Sequence, residues 1–273
     1  MKVYKSSVVT KAITYGVLIL FVFLPIVFIL VKSFENPVRT VIVDIPGFID
    51  NFFSLEQYRQ VLFHNVTFWA AWWNTLILVV PVMLLSTVIA ALAAYGIVTL
   101  KPRHQMWVYG VYVLFSMLPL QMLLVPNYIV MYNMHLIGTR LSVILIAVFS
   151  PYYIVFLYRS ISQIKMETIE AARIEGAGEL RIFRAVVIPQ IKLGISTFFL
   201  ICAIELWSMI EQPLVFMQDE TQYPLSILFR EIDPSLQYAG AVIYAVPMIL
   251  LFLCTAKDLT RGISSFVGGK HET

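Results

Sequence analysis

One carboxylate lies well inside an otherwise uncharged apolar run, and it is the residue best placed to do chemistry away from water. Glu205 interrupts the run at residues 193–212. At 1.5 Å per helical residue it lies about 18 Å from Leu193, beyond the middle of a membrane-spanning helix. A carboxylate at that depth is a functional candidate that faces other helices or a cavity. A hydrogen bond that packs two helices, or that reaches interfacial water, is an equally open interpretation.

The remaining reactive groups argue against several kinds of site. The chain has no Gly-x-x-x-x-Gly-Lys-Ser/Thr loop, because its Gly269-Lys270 pair is followed by His271, so the sequence offers no cradle for ATP phosphates. The four histidines lie in separate segments without metal-ligand spacing, which argues against a membrane-embedded metalloenzyme. Cys202 and Cys254 lie in apolar runs, a placement typical of small buried hydrophobic residues.

The composition is that of a membrane protein. Hydrophobic residues make up 60% of the 273 and charged residues 13%, against roughly 45–50% and about 25% in soluble domains. A soluble fold of this size could not bury so much apolar surface, so lipid must solvate most of it. The net charge of +3 is too small for a nucleic-acid binder. The sequence therefore predicts an all-α integral membrane protein.

Six apolar runs are long enough to span a bilayer, since a spanning helix needs about 20 mostly apolar residues. They occupy residues 12–31, 74–100, 105–134, 141–158, 193–212 and 239–256. The third run is longer than one crossing requires. We expect its outer part, from about Pro126, to leave the membrane or to bend along it.

Basic residues predict the orientation. With the N-terminus inside, fourteen of the nineteen Lys and Arg residues lie on the inner side and five on the outer side, a strong positive-inside bias. We expect both termini to be cytoplasmic and the first run to be an uncleaved anchor. The predicted organisation is a cytoplasmic N-terminus (1–11), an anchor (12–31), an extracytoplasmic loop (32–73), a core of five spans (74–256) and a cytoplasmic tail (257–273).

Residues 159–192 form the longest polar stretch on the predicted cytoplasmic side. Helical spacing predicts a first short helix through Arg173, a break at Gly176 and Gly178, and a second apolar stripe stopped by Pro189. Two short helices joined by a glycine corner bury little between themselves and need a partner surface. A loop whose charges are simply solvated is the alternative.

The amino-acid sequence of this loop resembles a known motif. The loop contains Glu170-Ala171-Ala172, then Gly176 after three further residues, then Val186-Val187-Ile188-Pro189 after nine more. This pattern is similar to the cytoplasmic loop of permease subunits in binding-protein-dependent ABC importers. The pattern of that family is Glu-Ala-Ala, three residues, Gly, nine residues, Ile-x-Leu-Pro. Val186 and Ile188 are conservative departures, and Lys165 stands where the family commonly has Pro.

Further segments resemble the carbohydrate-uptake branch, the maltose and oligosaccharide type. They are Asn74-Thr75, Ala93-Ala94-Tyr95, the segment from Pro119 to Pro126, Leu136-Ile137-Gly138-Thr139, Trp207-Ser208-Met209-Ile210-Glu211-Gln212-Pro213-Leu214, Tyr223-Pro224-Leu225 and the tail Gly268-Gly269-Lys270. Ser208 replaces the usual Asn of the branch, and the acidic residue of that motif is shifted to Glu211. These departures bear on the substrate more than on transport.

The resemblance implies the type I ABC importer permease fold in a bacterial or archaeal cell (inner) membrane. The loop would dock into a cleft on a cytoplasmic ATPase, which would bind the ATP and Mg; no cofactor is expected in this chain. The coupling residues would be Glu170, Ala171, Ala172, Arg173, Glu175 and Gly176. The implied partners are a second, different permease subunit, two ATPase subunits and an extracellular solute-binding protein that delivers a sugar.

Four residues are candidates for the substrate path: Glu205, Trp207, Glu211 and Tyr128. If Glu205 is functional, it would accept hydrogen bonds from sugar hydroxyls while an aromatic ring stacks on the apolar face of the sugar. An ion-coupled secondary transporter of a small polar solute is the alternative function. It is weakly supported, because such proteins usually carry several intramembrane ionisable groups.

Overall fold

The computed structural model of this protein describes residues 2–37 and 53–268, and every regular element in those ranges is helical. The helices are α1 (Lys2–Ser33), α2 (Glu56–His64), α3 (Val66–Val98), α4 (Pro102–Ser116), α5 (Leu120–Asn133), α6 (Arg140–Val148), α7 (Pro151–Ile161), α8 (Met166–Ile174), α9 (Glu179–Ile182), α10 (Ile188–Gln190), α11 (Lys192–Trp207), α12 (Glu211–Phe216), α13 (Leu225–Leu228) and α14 (Gln237–Gly268). A π-helical turn, Phe183–Val187, joins α9 to α10. The predicted all-α class is confirmed. The tail residues Gly269 and Lys270 lie outside the described ranges.

Four stretches of helix are long and apolar enough to cross a membrane: Ile13–Ser33, Val66–Val98, Arg140–Ile161 and Pro234–Ala256. Two bent pairs qualify when each is counted as one span. The first is α4 with α5, bent by 99°, and the second is Glu179–Gln190 with α11, bent by 77°. The described ranges thus hold four to six candidate spans, in agreement with the six expected. Their sidedness stays a prediction.

The bend in the third apolar run is not where we expected it. Pro126 lies inside α5, and the chain turns earlier, between Ser116 and Leu120. The physical cause is Pro119, which has no N–H to donate and which restricts the preceding Leu118 to extended conformations. Pro119 itself has φ −59° and ψ 141°, outside the helical region.

Three other boundaries also differ from the expectation. Helix α3 begins at Val66, ahead of the predicted start of the second run at residue 74. Helix α11 ends at Trp207, so Glu211 lies on the separate helix α12. The helical stretch that begins at Glu179 ends at Gln190, one residue beyond the predicted stop at Pro189.

The chain divides into two compact units, with the boundaries inside α3 and α14. The first unit contains residues up to Trp69 together with Leu228–Val246. The apolar window of α1 has no buried residue. Its C-terminal end is held by α2, where Gln57 Nε2 donates to the carbonyls of Lys32 (2.9 Å) and Glu35 (2.7 Å). Free carbonyls at a helix end are satisfied in this way.

The second unit contains Ala70–Ile227 and the residues from Pro247 onward. Its largest fully buried side chains come from α3, α7, α11 and α12 and include Tyr153, Phe198, Phe216, Leu78 and Leu157. Helix α4 lies against α7, where the ring of Tyr109 stacks on that of Tyr158 with centroids 4.0 Å apart. This packing fixes the helices on both sides of the loop at 159–192.

Helices α7 and α11 approach each other closely at one glycine. A Cβ atom added to Gly194 would lie 2.7 Å from the Cβ of Ser160 and closer still to its hydroxyl. Real Cβ atoms do not approach side-chain atoms so closely, so only glycine permits this packing. The two helices that flank the loop are therefore in direct contact at its base.

Candidate functional site

The loop at 159–192 is built around one left-handed residue. Gly176 has φ +84°, its N–H donates to the carbonyl of Arg173 at 2.9 Å, and the N–H of Ala177 donates to that of Ala172 at 3.0 Å. This pair of bonds is a Schellman motif, which closes a helix with a glycine in the left-handed region. Gly178 has φ −69° and begins α9. The corner that the sequence assigned to two glycines is thus made by Gly176.

The loop has a buried side and an exposed side. Ile169, Ile182 and Val187 are fully buried within the second unit. On the other side Ile174 is 88% exposed and Leu180 58% exposed. These two apolar side chains are left exposed on an otherwise polar loop, where the chain itself does not cover them.

The six predicted coupling residues lie together around this corner. Glu170, Ala171, Arg173, Glu175 and Gly176 are exposed, and Ala172 is half-buried. Within the described ranges Glu170 and Glu175 form no salt bridge, whereas Arg173 pairs with Glu179, with 2.7 Å between Nε and Oε1.

Glu179 also connects the loop to α3. Its Oε2 accepts a hydrogen bond of 2.5 Å from the hydroxyl of Tyr95, in the last turn of that helix. Hydrogen bonds from Arg173 and then from Tyr95 lower the pKa of the Glu179 carboxyl below its usual value of 4.5. Because the pKa is lowered on folding, this contribution to stability is complete above pH 4.5 and is lost as the pH falls through the lowered pKa.

Glu205 lies on α11 and is exposed at the surface of this chain. Its Oε2 accepts a hydrogen bond of 3.4 Å from Tyr153 of α7. Tyr153 is buried, and its ring packs edge-on against Phe198 with centroids 5.2 Å apart. One carboxylate oxygen is thus held by a neighbouring helix, and the residue can accept further hydrogen bonds from whatever covers this face.

The other three candidates of the path occupy different environments. Trp207 is only 4% exposed and packs inside the unit. Glu211 is exposed and accepts hydrogen bonds of 2.9 and 3.2 Å from Gln121 Nε2 of α5. Tyr128, also on α5, stacks on Phe216 of α12 with centroids 6.3 Å apart. Glu211 and Tyr128 therefore share the α5–α12 contact, whereas Glu205 lies beside α7.

Sequence reasoning missed Tyr95, Glu179, Gln121 and Tyr153 as partners of the candidate residues. In the sequence Tyr95 stands out only as part of an Ala-Ala-Tyr triplet. No local pattern shows that it lies beside Glu179, which is 84 positions away. In the part of the chain that the structure describes, no group of three or more His, Cys, Asp or Glu residues could hold a metal ion.

Comparisons with known proteins cover most of the chain. The family described as "Binding-protein-dependent transport system inner membrane component" matches residues 86–256. The melibiose/raffinose/stachyose import permease protein MelC of Bacillus subtilis is 30% identical over 202 residues, which cover 70% of this chain and 73% of that protein. The diacetylchitobiose uptake system permease protein NgcG of Streptomyces coelicolor is 24% identical, covering 93% of this chain and 87% of that one.

The fold is similar to that of a solved transporter. A chain in the crystal structure of a bacterial ABC transporter involved in the import of the acidic polysaccharide alginate has a TM-score of 0.67 and 22% identity, covering 98% of this chain and 97% of that chain. The likeness extends over the whole length, so the two chains share an architecture.

A substitution at the corner should separate backbone strain from packing. We expect Gly176→Ala to destabilise the protein by about 1–2 kcal/mol, because an L-residue resists the left-handed region. Apart from Gly176 and its two chain neighbours, no heavy atom of the described residues lies within 4 Å of the added Cβ, so backbone strain is the expected cost. Gly178→Ala is the matched control, because it also meets open space but has φ −69°. Thermal unfolding in detergent measures both, and equal transition temperatures would contradict the assignment.

Proposed function

Because this chain belongs to the family of binding-protein-dependent transport system inner membrane components, we propose that it forms half of the translocation path for a sugar or an oligosaccharide in an ATP-driven importer. As a member of that family it is a transport subunit rather than an enzyme. The printed names of its relatives MelC and NgcG support a carbohydrate substrate. The family match favours an importer over the ion-coupled secondary transporter.

The exposed corner at 159–192 is the observation that carries the proposal. It presents Ile174 and Leu180 beside a flat alanine pair, which suits close docking onto another protein. The chain lacks a phosphate-binding loop of its own, so energy must come from a partner. The proposed partners are two cytoplasmic ATPase subunits that bind ATP and Mg, a second permease chain and an extracellular solute-binding protein.

The orientation follows from the distribution of charge. The positive-inside bias supports a cytoplasmic location for this corner and both termini, in a bacterial or archaeal cell membrane. Residues 32–73 would then face outward, and 74–256 would form the permease core with its coupling loop.

The mechanism requires the corner to move with its partner. Closure of the ATPase pair would pull α8, and the contact of Gly194 with Ser160 would carry both flanking helices along. The spans would then exchange an inward-open for an outward-open cavity. Such an equilibrium is shifted by a few kcal/mol of differential binding.

In the substrate path, we assign the central polar contact to Glu205. It is exposed on this chain and partly held by Tyr153, so the second permease subunit would complete the cavity around it. Glu211 and Tyr128 would line the path between α5 and α12. Burial of Trp207 gives it a supporting place behind this surface.

We expect Ile174→Cys to cross-link to the ATPase in the isolated complex, because residue 174 is 88% exposed at the corner. Cys254, which is exposed, is first changed to Ser, whereas the buried Cys202 can stay. Val66→Cys is the control, because residue 66 is 82% exposed but is far from residue 174 in the sequence. A maleimide–diazirine photo-cross-linker, which needs no cysteine on the partner, and mass spectrometry of the product identify the partner. Absence of any product from residue 174 would contradict the docking role.

The substrate class can be read from the delivering protein. We expect the solute-binding protein that co-purifies with the complex to release a saccharide, because the two relatives carry melibiose, raffinose, stachyose or diacetylchitobiose according to their names. Mass spectrometry of the heat-released ligand measures this. A ligand other than a carbohydrate would refute the substrate class without affecting the importer assignment.

We expect Glu205→Gln to reduce the ATPase stimulation by sugar-loaded binding protein by about tenfold, because a hydrogen bond to a charged acceptor is worth about 1.5–3 kcal/mol. The variant keeps the size of the side chain and one acceptor for Tyr153. Glu220→Gln, at an exposed position in a turn, is the matched control. Unchanged stimulation of the ATPase and unchanged sugar uptake would contradict a role for Glu205 in the substrate path.

A further inference from the structure

Helix α3 carries a polar contact to another segment near each of its ends. At its C-terminal end, Tyr95 is 7% exposed and donates to Glu179 at 2.5 Å. The ring of Tyr95 also packs against Phe183, with centroids 5.6 Å apart. The 159–192 loop is joined covalently to α7 and α11, so these contacts add a third helix that is distant in sequence.

At the other end, α3 holds the segment that follows α12. Asn74 Nδ2 donates to the carbonyls of Thr221 (2.8 Å) and Tyr223 (3.2 Å). The hydroxyl of Thr75 accepts a hydrogen bond of 2.9 Å from the backbone N–H of Leu225. Thr75 and Leu225 are buried, so this end of the contact is shielded from competing water.

The two contacts are separated by about the thickness of a bilayer core. Thr75 and Tyr95 are twenty residues apart in one continuous helix, which corresponds to about 30 Å. Pro81 lies between them and removes one i→i−4 hydrogen bond, but the helix continues from Val66 to Val98 and can carry an axial displacement between the two contacts. Helix α3 therefore connects the loop on one side of the spans to residues 221–225 on the other.

The geometry of Glu179 suits it to pass on movement of α8. One carboxylate oxygen is held by Arg173 of α8 and the other by Tyr95 of α3. Because both oxygens are engaged, the carboxylate cannot rotate freely, and a shift of α8 changes the force on the tyrosine hydroxyl. Hydrogen bonds to an ionised acceptor are also stronger than neutral ones.

We propose that Tyr95 and Glu179 are positioning residues through which α3 carries the movement of the 159–192 loop to residues 221–225 on the opposite side of the membrane. The inference rests on the proposed function, since it takes the loop to move with a partner ATPase. It adds a defined route, with Asn74 and Thr75 as the far contact.

The test follows residue 220, in the turn held by Asn74. In the reconstituted complex, Glu220→Cys with Cys254→Ser is labelled with a maleimide, before and after addition of binding protein, MgATP and orthovanadate. We expect a several-fold change in labelling rate with nucleotide. Tyr95→Phe should reduce that change by at least about threefold, as loss of one hydrogen bond of ordinary strength would do, while the complex still assembles and hydrolyses ATP.

Matched variants separate this route from a general loss of structure. Tyr132→Phe removes the hydroxyl of an exposed tyrosine of α5 and should leave the change intact. Glu179→Gln keeps an acceptor for Tyr95 and should retain more of the change than Glu179→Ala. A Tyr95→Phe complex with an undiminished change at residue 220 overturns the inference.

A double substitution tests whether both contacts lie on one route. Thr75→Val removes the acceptor of the Leu225 N–H at nearly constant volume, and it should reduce the change at residue 220 as Tyr95→Phe does. Substitutions this far apart ordinarily have additive free-energy effects. If both contacts lie on one route, the double variant should instead reduce the change in labelling no more than the more severe single variant does. Multiplied losses would overturn the inference. A parent complex without ATP-stimulated activity would instead refute the proposed function.

Discussion

Hydrocarbon offers no hydrogen-bond partners, and this constraint accounts for the placement of the polar side chains in this fold. Every break in a helix at membrane depth frees backbone groups that the protein itself must satisfy. Gln57 serves the carbonyls at the end of α1, Asn74 holds the carbonyl of Thr221, and Ser226 donates to that of Met209 at 2.5 Å. Each of these three side chains ties one segment to another, whereas the hydroxyls of Thr87 and Thr197, inside α3 and α11, bond to a carbonyl of their own helix.

The same constraint divides the chain into apolar spans and a polar loop at 159–192, which have different roles. The spans present mostly apolar side chains, so they can slide and tilt in lipid at little cost. The polar loop at 159–192 is folded by a Schellman motif at Gly176 and leaves Ile174 and Leu180 exposed. A loop that is rigid in itself but open on one side is suited to receive force from another protein and to pass it on without absorbing it.

The sequence predicts what is local and misses what is distant. Helical class, the number of spans and the corner at Gly176 follow from composition, apolar runs and the need for glycine in the left-handed region. The sequence predicts a bend from about Pro126, whereas the chain turns at Pro119. Both prolines lie in one apolar run, and only their packing in the fold distinguishes them. The bond between Tyr95 and Glu179 joins two segments whose proximity depends on the complete fold.

The contact between Gly194 and Ser160 restricts how the loop at 159–192 can deform. Because α7 and α11 touch at its base, the two arms of the loop cannot separate there without breaking this contact. A pull on the loop would therefore act on α7 and α11 together rather than on either helix alone.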